Sequence, residues 1–317
     1  MKHNRLPLSK ATLVAWLGRC SMATVEKGNR IALRSIVFAT DFSPFSEAAL
    51  PYAIVIARQY GGRVLATHIA PPSVYSEAPP ERWSTTQRGD AERDHRRIDR
   101  LESELGTLPH QILMRVGDVW EVLRNLIREE DVDLVVLGTH GRTGLKKLMM
   151  GSVAEEIFRQ AQCPVMTIGP HIEHRDTAEI KFRNILFATD FSQASVAGLR
   201  YALSLAEENQ ATISLLHCIE TPSVGSVDLD SNASFVLKEL EQLVPSEAAF
   251  WCKPKCFVEY GDHAEAIVEF AKEHDVDLIV MGVRAASGDP EIQSHLAKGT
   301  AHRVVAHASC PVLTVRG

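Results

Sequence analysis

Short apolar runs alternate with amphipathic segments along most of this chain. The run 134–137 is apolar and rich in β-branched residues, which is typical of a fully buried parallel strand. Just before it, Trp120, Leu123, Leu126 and Ile127 fall on one face of a helix predicted to start at Asp118. Strands that alternate with helices at these lengths predict an α/β fold with a doubly wound parallel sheet.

Turn signals bound the other predicted elements. Ser43-Pro44 is typical of a helix N-terminus and Gly61-Gly62 of a helix end, so a helix is expected over 45–60. The polar stretch 71–97 predicts a surface loop that feeds a helix ending near Leu105, just before a glycine.

The same short motifs occur twice along the chain, in the same order and separated by nearly constant numbers of residues. They are Ala39-Thr40-Asp41-Phe42-Ser43 with 188–192, a strand containing His68 with one containing His217, Gly117-Asp118 with Gly261-Asp262, Val132-Asp133-Leu134 with 276–278, and Cys163-Pro164-Val165 with Cys310-Pro311-Val312. Such a long period indicates duplicated domains rather than a solenoid. We therefore expect two tandem five-stranded doubly wound sheets, over 33–170 and 182–317. A poorly ordered leader is expected over 1–32 and a charged linker over 171–181.

The segment 133–153 predicts a strand, a glycine loop, a short basic excursion and a helix. Glycines let the backbone approach a ligand, and amides at a helix N-terminus point donors at negative charge, so the pattern is typical of an anion site. Arg142, Lys146 and Lys147 could add positive potential, although such lysines commonly form a solvated face. Glycine spacing alone also fits a strand-to-helix turn that binds nothing.

The pattern Gly-x2-Gly-x9-Gly-Ser after a buried strand, together with the repeated words, resembles the ATP-binding universal stress proteins. The resemblance extends from Leu33 to Gly317 and implies two universal stress domains of the adenine nucleotide alpha hydrolase-like fold, packed as a pseudo-dimer through their closing strands, 164–168 and 311–315. It also implies a role in stress response. Further homodimerisation stays open.

The resemblance also implies an ATP site in the first domain, with Mg²⁺ able to accompany the nucleotide. Asp41 would bind the ribose hydroxyls, adenine would lie near Ala39 and Ile69, and the glycine loop would wrap the ribose and phosphates, while an N-cap or loop-bracing role is the alternative for Asp41. The full set of nucleotide-binding residues implied is Ala39, Thr40, Asp41, Ser43, Ile69, Leu137, Gly138, Thr139, His140, Gly141, Arg142, Thr143, Gly151, Ser152 and Val153.

The second copy departs from this pattern where phosphate would bind. Gly282 is kept, but Ala285 replaces the second glycine, the following loop is longer, and Asp289 and Glu291 stand in place of the basic excursion. A Cβ atom and like charge both disfavour phosphate, so we expect the second domain to bind nucleotide weakly or to serve as a structural copy.

Composition narrows the class of protein. The 317 residues are 45% hydrophobic with a net charge of -6, and this mild acidity argues against a general nucleic-acid binder. No apolar run reaches the roughly 18 residues of a membrane span. The apolar run 11–17 could belong to a secretory signal, but Arg19 interrupts its cleavage site, and a start at Met22 is an alternative. The six cysteines form no disulfide or metal framework, which favours a reducing, cytoplasmic compartment.

Other candidate chemistry has plainer explanations. His68 and His217 could act as acid-base groups, but a histidine ending a buried strand is more often structural. Cys252 and Cys256 match no redox motif, and His295 with His302 lacks carboxylates for a metal site.

Two classes of function remain open beside a nucleotide-dependent interaction with an unidentified protein partner. One is an enzyme that slowly hydrolyses ATP or transfers an adenylyl group, although the chain lacks a Gly-x4-Gly-Lys-Ser/Thr loop. The other is a dimerisation or interaction module that no longer uses nucleotide.

Overall fold

The computed structural model describes residues 31–70, 85–139, 150–220, 229–283 and 299–317. Nearly all of the predicted leader therefore lies outside the described residues. The described chain divides into two compact units. The larger unit takes its residues from Ala32–Lys181 and Ala286–Thr314, and the smaller from Phe182–Ala285 and Val315–Gly317, with Ile31.

The first copy supplies five strands and the helices between them, in the alternating order that the sequence predicts. Its elements are β1 Ser35–Ala39, α1 Pro44–Glu47, α2 Leu50–Tyr60, β2 Arg63–Ala70, α3 Thr85–Leu105, β3 His110–Val116, α4 Val119–Glu129, β4 Leu134–Gly138, α5 Ser152–Gln160 and β5 Val165–Ile168.

The second copy repeats this order. Its elements are β6 Asn184–Ala188, α6 Gln193–Asn209, β7 Thr212–Ile219, α7 Leu229–Leu243, a 3₁₀ helix Ser246–Phe250, β8 Lys255–Tyr260, α8 His263–Glu273, β9 Leu278–Val283, α9 Thr300–His307 and β10 Val312–Arg316.

The strands are almost all parallel, which confirms the predicted fold class. In the larger unit their order is β3-β2-β1-β4-β5-β10. Strands β2 and β3 are added toward one side of β1 and the next two toward the other, so the strand order reverses between β1 and β4. Strand β10 runs antiparallel to β5, with Leu313 opposite Met166. The Thr167 hydroxyl donates to the Val312 carbonyl at 3.1 Å, and the Thr314 hydroxyl to the Val165 carbonyl at 3.2 Å. In the smaller unit, β6 lies between β7 and β9 and β8 pairs with β7, all parallel.

A motif that both copies share, Val-Asp-Leu, has a structural role in both units. One Asp133 oxygen accepts the Arg34 and Ser35 amides at 2.8 and 3.0 Å, where β1 begins. Asp277 accepts two amides at the start of β6 at the same distances. Each carboxylate thus pins the first strand of its copy to the third connection, so the repetition of this word needs no ligand to explain it.

The helix predicted over 45–60 is interrupted, and this prediction was wrong in detail. Pro44 is its first residue as expected, but α1 ends at Glu47 and α2 begins at Leu50. Pro51 lies in the first turn of α2 and has no amide hydrogen to donate to the preceding turn, so the chain tightens there. The second copy has Arg200 in the corresponding place, and α6 is continuous over 17 residues.

The two copies also end this helix differently. Gly61 terminates α2 in the left-handed conformation at φ 61, and an added Cβ atom would meet nothing within 4 Å. In the second copy Gln210 holds the same position after α6, at φ 51. Left-handed backbone is strained for a residue with a Cβ atom, so the second cap is the weaker one.

Helix α3 begins earlier than the sequence predicts, since residues 85–97 are helical and not loop. Two ion pairs form at helical spacing in its described part: Arg97 with Asp94 at 3.0 Å and Arg100 with Glu104 at 2.7 Å. Leu105 at its end is fully buried. Ion pairs and one apolar edge therefore sustain a helix whose composition reads as loop.

His110 at the start of β3 fastens α3 to the sheet. Its Nδ1 atom lies 2.7 Å from the Leu108 carbonyl and its Nε2 atom 2.8 Å from the Glu102 carboxylate. Burial lowers the pKa of His110, but these two acceptors outweigh it and raise the pKa above the ordinary 6.5. The charged imidazole is the form that can donate to both.

Candidate functional site

The loop after β1 is braced by its own polar groups. The buried Thr40 hydroxyl accepts the Phe42 amide at 2.9 Å and lies 3.0 Å from the Ser46 hydroxyl. The Thr40 amide donates to the Thr67 carbonyl, and its own carbonyl lies 2.8 Å from His68 Nδ1. All polar groups of Thr40 are thus engaged within the protein, and Thr40 stabilises the loop that carries Asp41.

Ser43 is likewise committed to the fold. Its side chain accepts the Ser46 amide at 3.2 Å, which makes it the N-cap of α1, as the sequence predicts. Its carbonyl accepts from the Ser46 hydroxyl, and its amide donates to Asp41.

Asp41 lies at the rim of this braced loop. Its Oδ1 atom accepts the Ser43 amide at 2.9 Å, so the loop-bracing role considered from the sequence is present. The side chain is nevertheless part-exposed at the carboxyl end of β1, whereas Thr40 and Phe42 on either side are buried. A carboxylate has several acceptor positions, and bracing by Oδ1 is compatible with binding a hydroxyl-bearing ligand.

The second copy repeats the brace almost atom for atom. The Thr189 hydroxyl accepts the Phe191 amide at 3.0 Å and lies 2.8 Å from the Ser195 hydroxyl, and Asp190 accepts the Ser192 amide at 3.0 Å. Asp190 is exposed. The repeated Ala-Thr-Asp-Phe-Ser word is therefore explained by turn geometry in both copies and does not by itself indicate a ligand.

Gly138, at the end of β4, is a glycine for reasons of packing. A Cβ atom there would lie 2.8 Å from the Phe45 carbonyl carbon and 3.0 Å from Ser46 Cα, and would also overlap the Phe45 oxygen. In the second copy a Cβ atom on Gly282 would overlap Ala194 in the same way. The close approach that requires glycine is thus made by the helix that follows the first strand of each copy, α1 or α6. Packing therefore explains these glycines without the close approach of a ligand that the sequence suggested.

The end of β4 also positions helix α5. Buried Thr139 donates its amide to the Ile168 carbonyl at 3.0 Å, and its carbonyl accepts the Gly151 amide at 2.7 Å. The Gly151 amide is therefore engaged within the protein. Gly151 is the N-cap of α5 and has no side chain with which to cap the amides of Ser152 and Val153, and both residues are exposed. These two amides are the donors that α5 presents at this edge.

Register brings these parts to one edge of the sheet. Ala39 on β1 is paired with Leu137 on β4, so Asp41 and Thr139 each follow two residues after paired positions. Ala39, Ile69 and Gly138 are part-exposed there, whereas Leu137 is buried. The remaining predicted site residues, His140, Gly141, Arg142 and Thr143, lie outside the described residues, as do Lys146 and Lys147.

A stack of side chains that the sequence did not predict lies against this edge. The Phe42 backbone has φ 60, and its ring packs on His68 with ring centroids 4.6 Å apart. The Arg97 guanidinium carbon lies 4.9 Å from the Phe42 ring centroid. Arg97 belongs to α3, in a stretch that the sequence predicts as loop, so there was no sequence-based reason to place it against Phe42. His68 serves this packing, which favours its structural interpretation over an acid-base role.

The remaining titratable groups in the described ranges have structural surroundings. Among the described residues, no three His, Cys, Asp or Glu side chains come together to hold a metal ion. Burial raises the pKa of the Cys163 thiol to about 12 and those of Cys252 and Cys256 to about 11. Burial lowers the pKa of His302 on α9, and its sequence companion His295 lies outside the described residues. Helices in the described ranges are all too short or too polar to cross a membrane.

Comparison with known proteins covers both copies. The model of the universal stress protein family matches residues 32–169 and 181–316. A universal stress protein of Synechocystis is 23% identical over 308 residues, which are 90% of this chain and all of that one. A universal stress protein of Bacillus subtilis is 32% identical over 150 residues, 43% of this chain and 99% of its own length. The crystal structure of a universal stress protein from Archaeoglobus fulgidus superposes with a TM-score of 0.67 at 20% identity, covering 90% of this chain and 99% of that one. With both of its copies matched by the family model, the chain belongs to the universal stress protein family.

Proposed function

We propose that this protein binds an adenine nucleotide, ATP in the first instance, at the carboxyl edge of β1 and β4, and acts in stress response through an interaction that depends on that nucleotide. The binding part of the proposal rests on one observation. Asp41 and the start of α5, whose N-cap makes no side-chain hydrogen bond, stand at the same edge of one sheet, on either side of the point where strand order reverses. Ligands of doubly wound sheets bind at such points.

The two sides of this edge suit different parts of a nucleotide. Asp41 is an acceptor and fits the two hydroxyls of a ribose, which are donors. The amides of Ser152 and Val153 are donors at the positive end of a helix, and they fit phosphate oxygens. The part-exposed Ala39 and Ile69 offer apolar surface to a base. Mg²⁺, where present, would be held chiefly by the phosphates, with Asp41 the carboxylate nearest this edge among the site residues described.

The anchoring of both sides favours a preformed site. The hydroxyl network of Thr40 fixes the Asp41 loop, and the hydrogen bond from Gly151 to Thr139 fixes the start of α5 to the end of β4. Groups held in this way lose little conformational freedom on binding. A binding protein needs no more than this, and slow hydrolysis of ATP could accompany binding without being its purpose.

The second copy is proposed to bind more weakly or to serve as scaffold. It keeps the brace and the exposed Asp190, so the difference comes from the loop sequence, where Ala285, Asp289 and Glu291 disfavour phosphate. These three residues lie outside the described residues. The proposed setting is the cytoplasm, which the unpaired thiols of Cys163, Cys218, Cys252 and Cys256 support.

Calorimetric titration with ATP of wild type, Asp41→Ala and Asp190→Ala tests the proposal. Both substitutions remove the same brace, to Ser43 or to Ser192, so they share any effect on folding. Loss of charge-assisted hydrogen bonds to ribose predicts at least about tenfold weaker binding for Asp41→Ala and unchanged binding for Asp190→Ala. Equal losses would reduce Asp41 to a turn residue, and a wild type that does not bind would favour the interaction module.

A further inference from the structure

We propose that Arg97 is a base-stacking residue of this site, with one face of its guanidinium on Phe42 and the other on the purine of the bound nucleotide. This inference rests on the proposed function and assigns a binding residue that the family motifs do not contain. Guanidinium groups stack on aromatic rings, and purine bases offer the same kind of planar surface.

The stack is anchored at its inner end. His68 at the end of β2 is buried and fixed by the Thr40 carbonyl at 2.8 Å, and the Phe42 ring lies on it. Phe42 is itself only 8% exposed, and the Thr40 hydroxyl holds its amide. Arg97 therefore lies over a pair of rings, Phe42 tilted by 42° on His68, that is anchored in the core.

Arg97 combines order with access. Its Nη1 atom forms an ion pair with Asp94 Oδ1 at 3.0 Å, one turn earlier on α3, which fixes the edge of the guanidinium. Its side chain is still 33% exposed. An ion pair made through the edge leaves the planar faces for stacking, and Phe42 occupies one of them.

The position of Arg97 favours the base over the phosphates. The residue beneath it, Phe42, directly follows Asp41, which is on the ribose side of the proposed site. The phosphate-binding amides of α5 follow β4, on the other side of β1 from β2.

The second copy provides an internal comparison. Phe191 packs on His217 with centroids 4.8 Å apart at the same tilt of 42°. Helix α7, the counterpart of α3, carries Lys238 as its one basic residue, so it has no arginine that could correspond to Arg97. The helix of the copy that is proposed to bind weakly thus offers no counterpart of Arg97.

The test measures binding of ATP and of adenosine, by calorimetry on the full chain, for wild type, Arg97→Gln, Arg97→Lys and a control, Arg100→Gln. Arg100 lies three residues further along α3 and forms ion pairs with Glu47 at 3.1 Å and Glu104 at 2.7 Å, so its loss loosens the same helix without touching the stack. We expect both Arg97 variants to weaken ATP and adenosine by a similar factor of about ten, and Arg100→Gln to stay within about twofold.

Each other outcome overturns the inference in a distinct way. If Arg97→Gln weakens ATP but not adenosine, or if Arg97→Lys binds like wild type, Arg97 acts through charge on the phosphates and not by stacking. If Arg97→Gln and Arg100→Gln lose affinity equally, Arg97 only docks α3. If wild type binds ATP and the Arg97 variants match it, this inference alone fails. If wild type binds neither ligand, the proposed function fails with it.

Discussion

Replacing Gly138 by alanine tests how β4 and α1 hold the candidate site together. The new Cβ atom would lie 2.8 Å from the Phe45 carbonyl carbon and 3.0 Å from Ser46 Cα, closer than real Cβ atoms approach carbon. These neighbours are backbone atoms and cannot rotate away. Helix α1 must therefore shift, and it is tied to the Asp41 loop by the 3.0 Å contact between the Ser46 and Thr40 hydroxyls.

The cost of forcing a methyl group into packed surroundings is about 1–3 kcal/mol, and the upper end applies where the neighbours are backbone. We expect Gly138→Ala to lower the free energy of unfolding by about 3 kcal/mol in urea titrations followed by circular dichroism. Gly282→Ala is the matched control, because its Cβ atom would overlap Ala194 in the second copy. Both variants should be destabilised, but only Gly138→Ala should weaken ATP binding. A Gly138→Ala protein within about 0.5 kcal/mol of wild type would refute the packing argument.

Three further predictions concern stability and reactivity. Gln210→Gly should raise the free energy of unfolding by about 1 kcal/mol by relieving left-handed strain, and Gly61→Gln should lower it similarly, as measured by urea titration. Since the folded-state pKa of His110 is raised, its stabilisation should be complete below about pH 6.5 and be lost as pH rises through that pKa; His110→Gln should remove this dependence in melting curves from about pH 5.5 to 8.5. Cys163, whose pKa burial raises to about 12, should resist iodoacetamide at neutral pH until the protein unfolds, as mass spectrometry of its peptide would detect.

Much of the fold follows from local sequence signals. The duplicated words, the alternation of strand and helix, and the caps at Ser43, Gly61 and Asp118 all predicted elements that the structure contains. The signals that misled were also local. Pro44 takes the first helical position after the Ser43 cap, as predicted. Pro51 lies in the first turn of a second helix, and the sequence around it does not distinguish a new helix from a continuous one. The polar stretch 71–97 predicts a loop because it holds Pro-Pro pairs and many charges, whereas a pair such as Arg97 with Asp94 forms only at helical spacing.

The candidate site was less predictable because its residues have several jobs. Thr40 and Thr139 lie in the predicted motifs, but both are buried and their polar groups form hydrogen bonds within the fold. Gly138 is glycine because a helix crosses it, which glycine spacing along the chain does not reveal. Arg97 reaches the site through tertiary packing alone. Because the Asp41 brace recurs around Asp190, turn geometry alone accounts for the repetition of this motif.

The most direct test of a nucleotide site in the first copy is the nucleotide content of the purified protein. The nucleotide would be released by denaturation, identified by chromatography and counted per chain, for wild type, Asp41→Ala and Asp190→Ala. We predict a single adenine nucleotide per chain, kept in Asp190→Ala and lost in Asp41→Ala. Two nucleotides per chain, or loss in Asp190→Ala with retention in Asp41→Ala, would contradict the assignment to the first copy. A wild type that carries none and takes up no added ATP would contradict nucleotide binding itself.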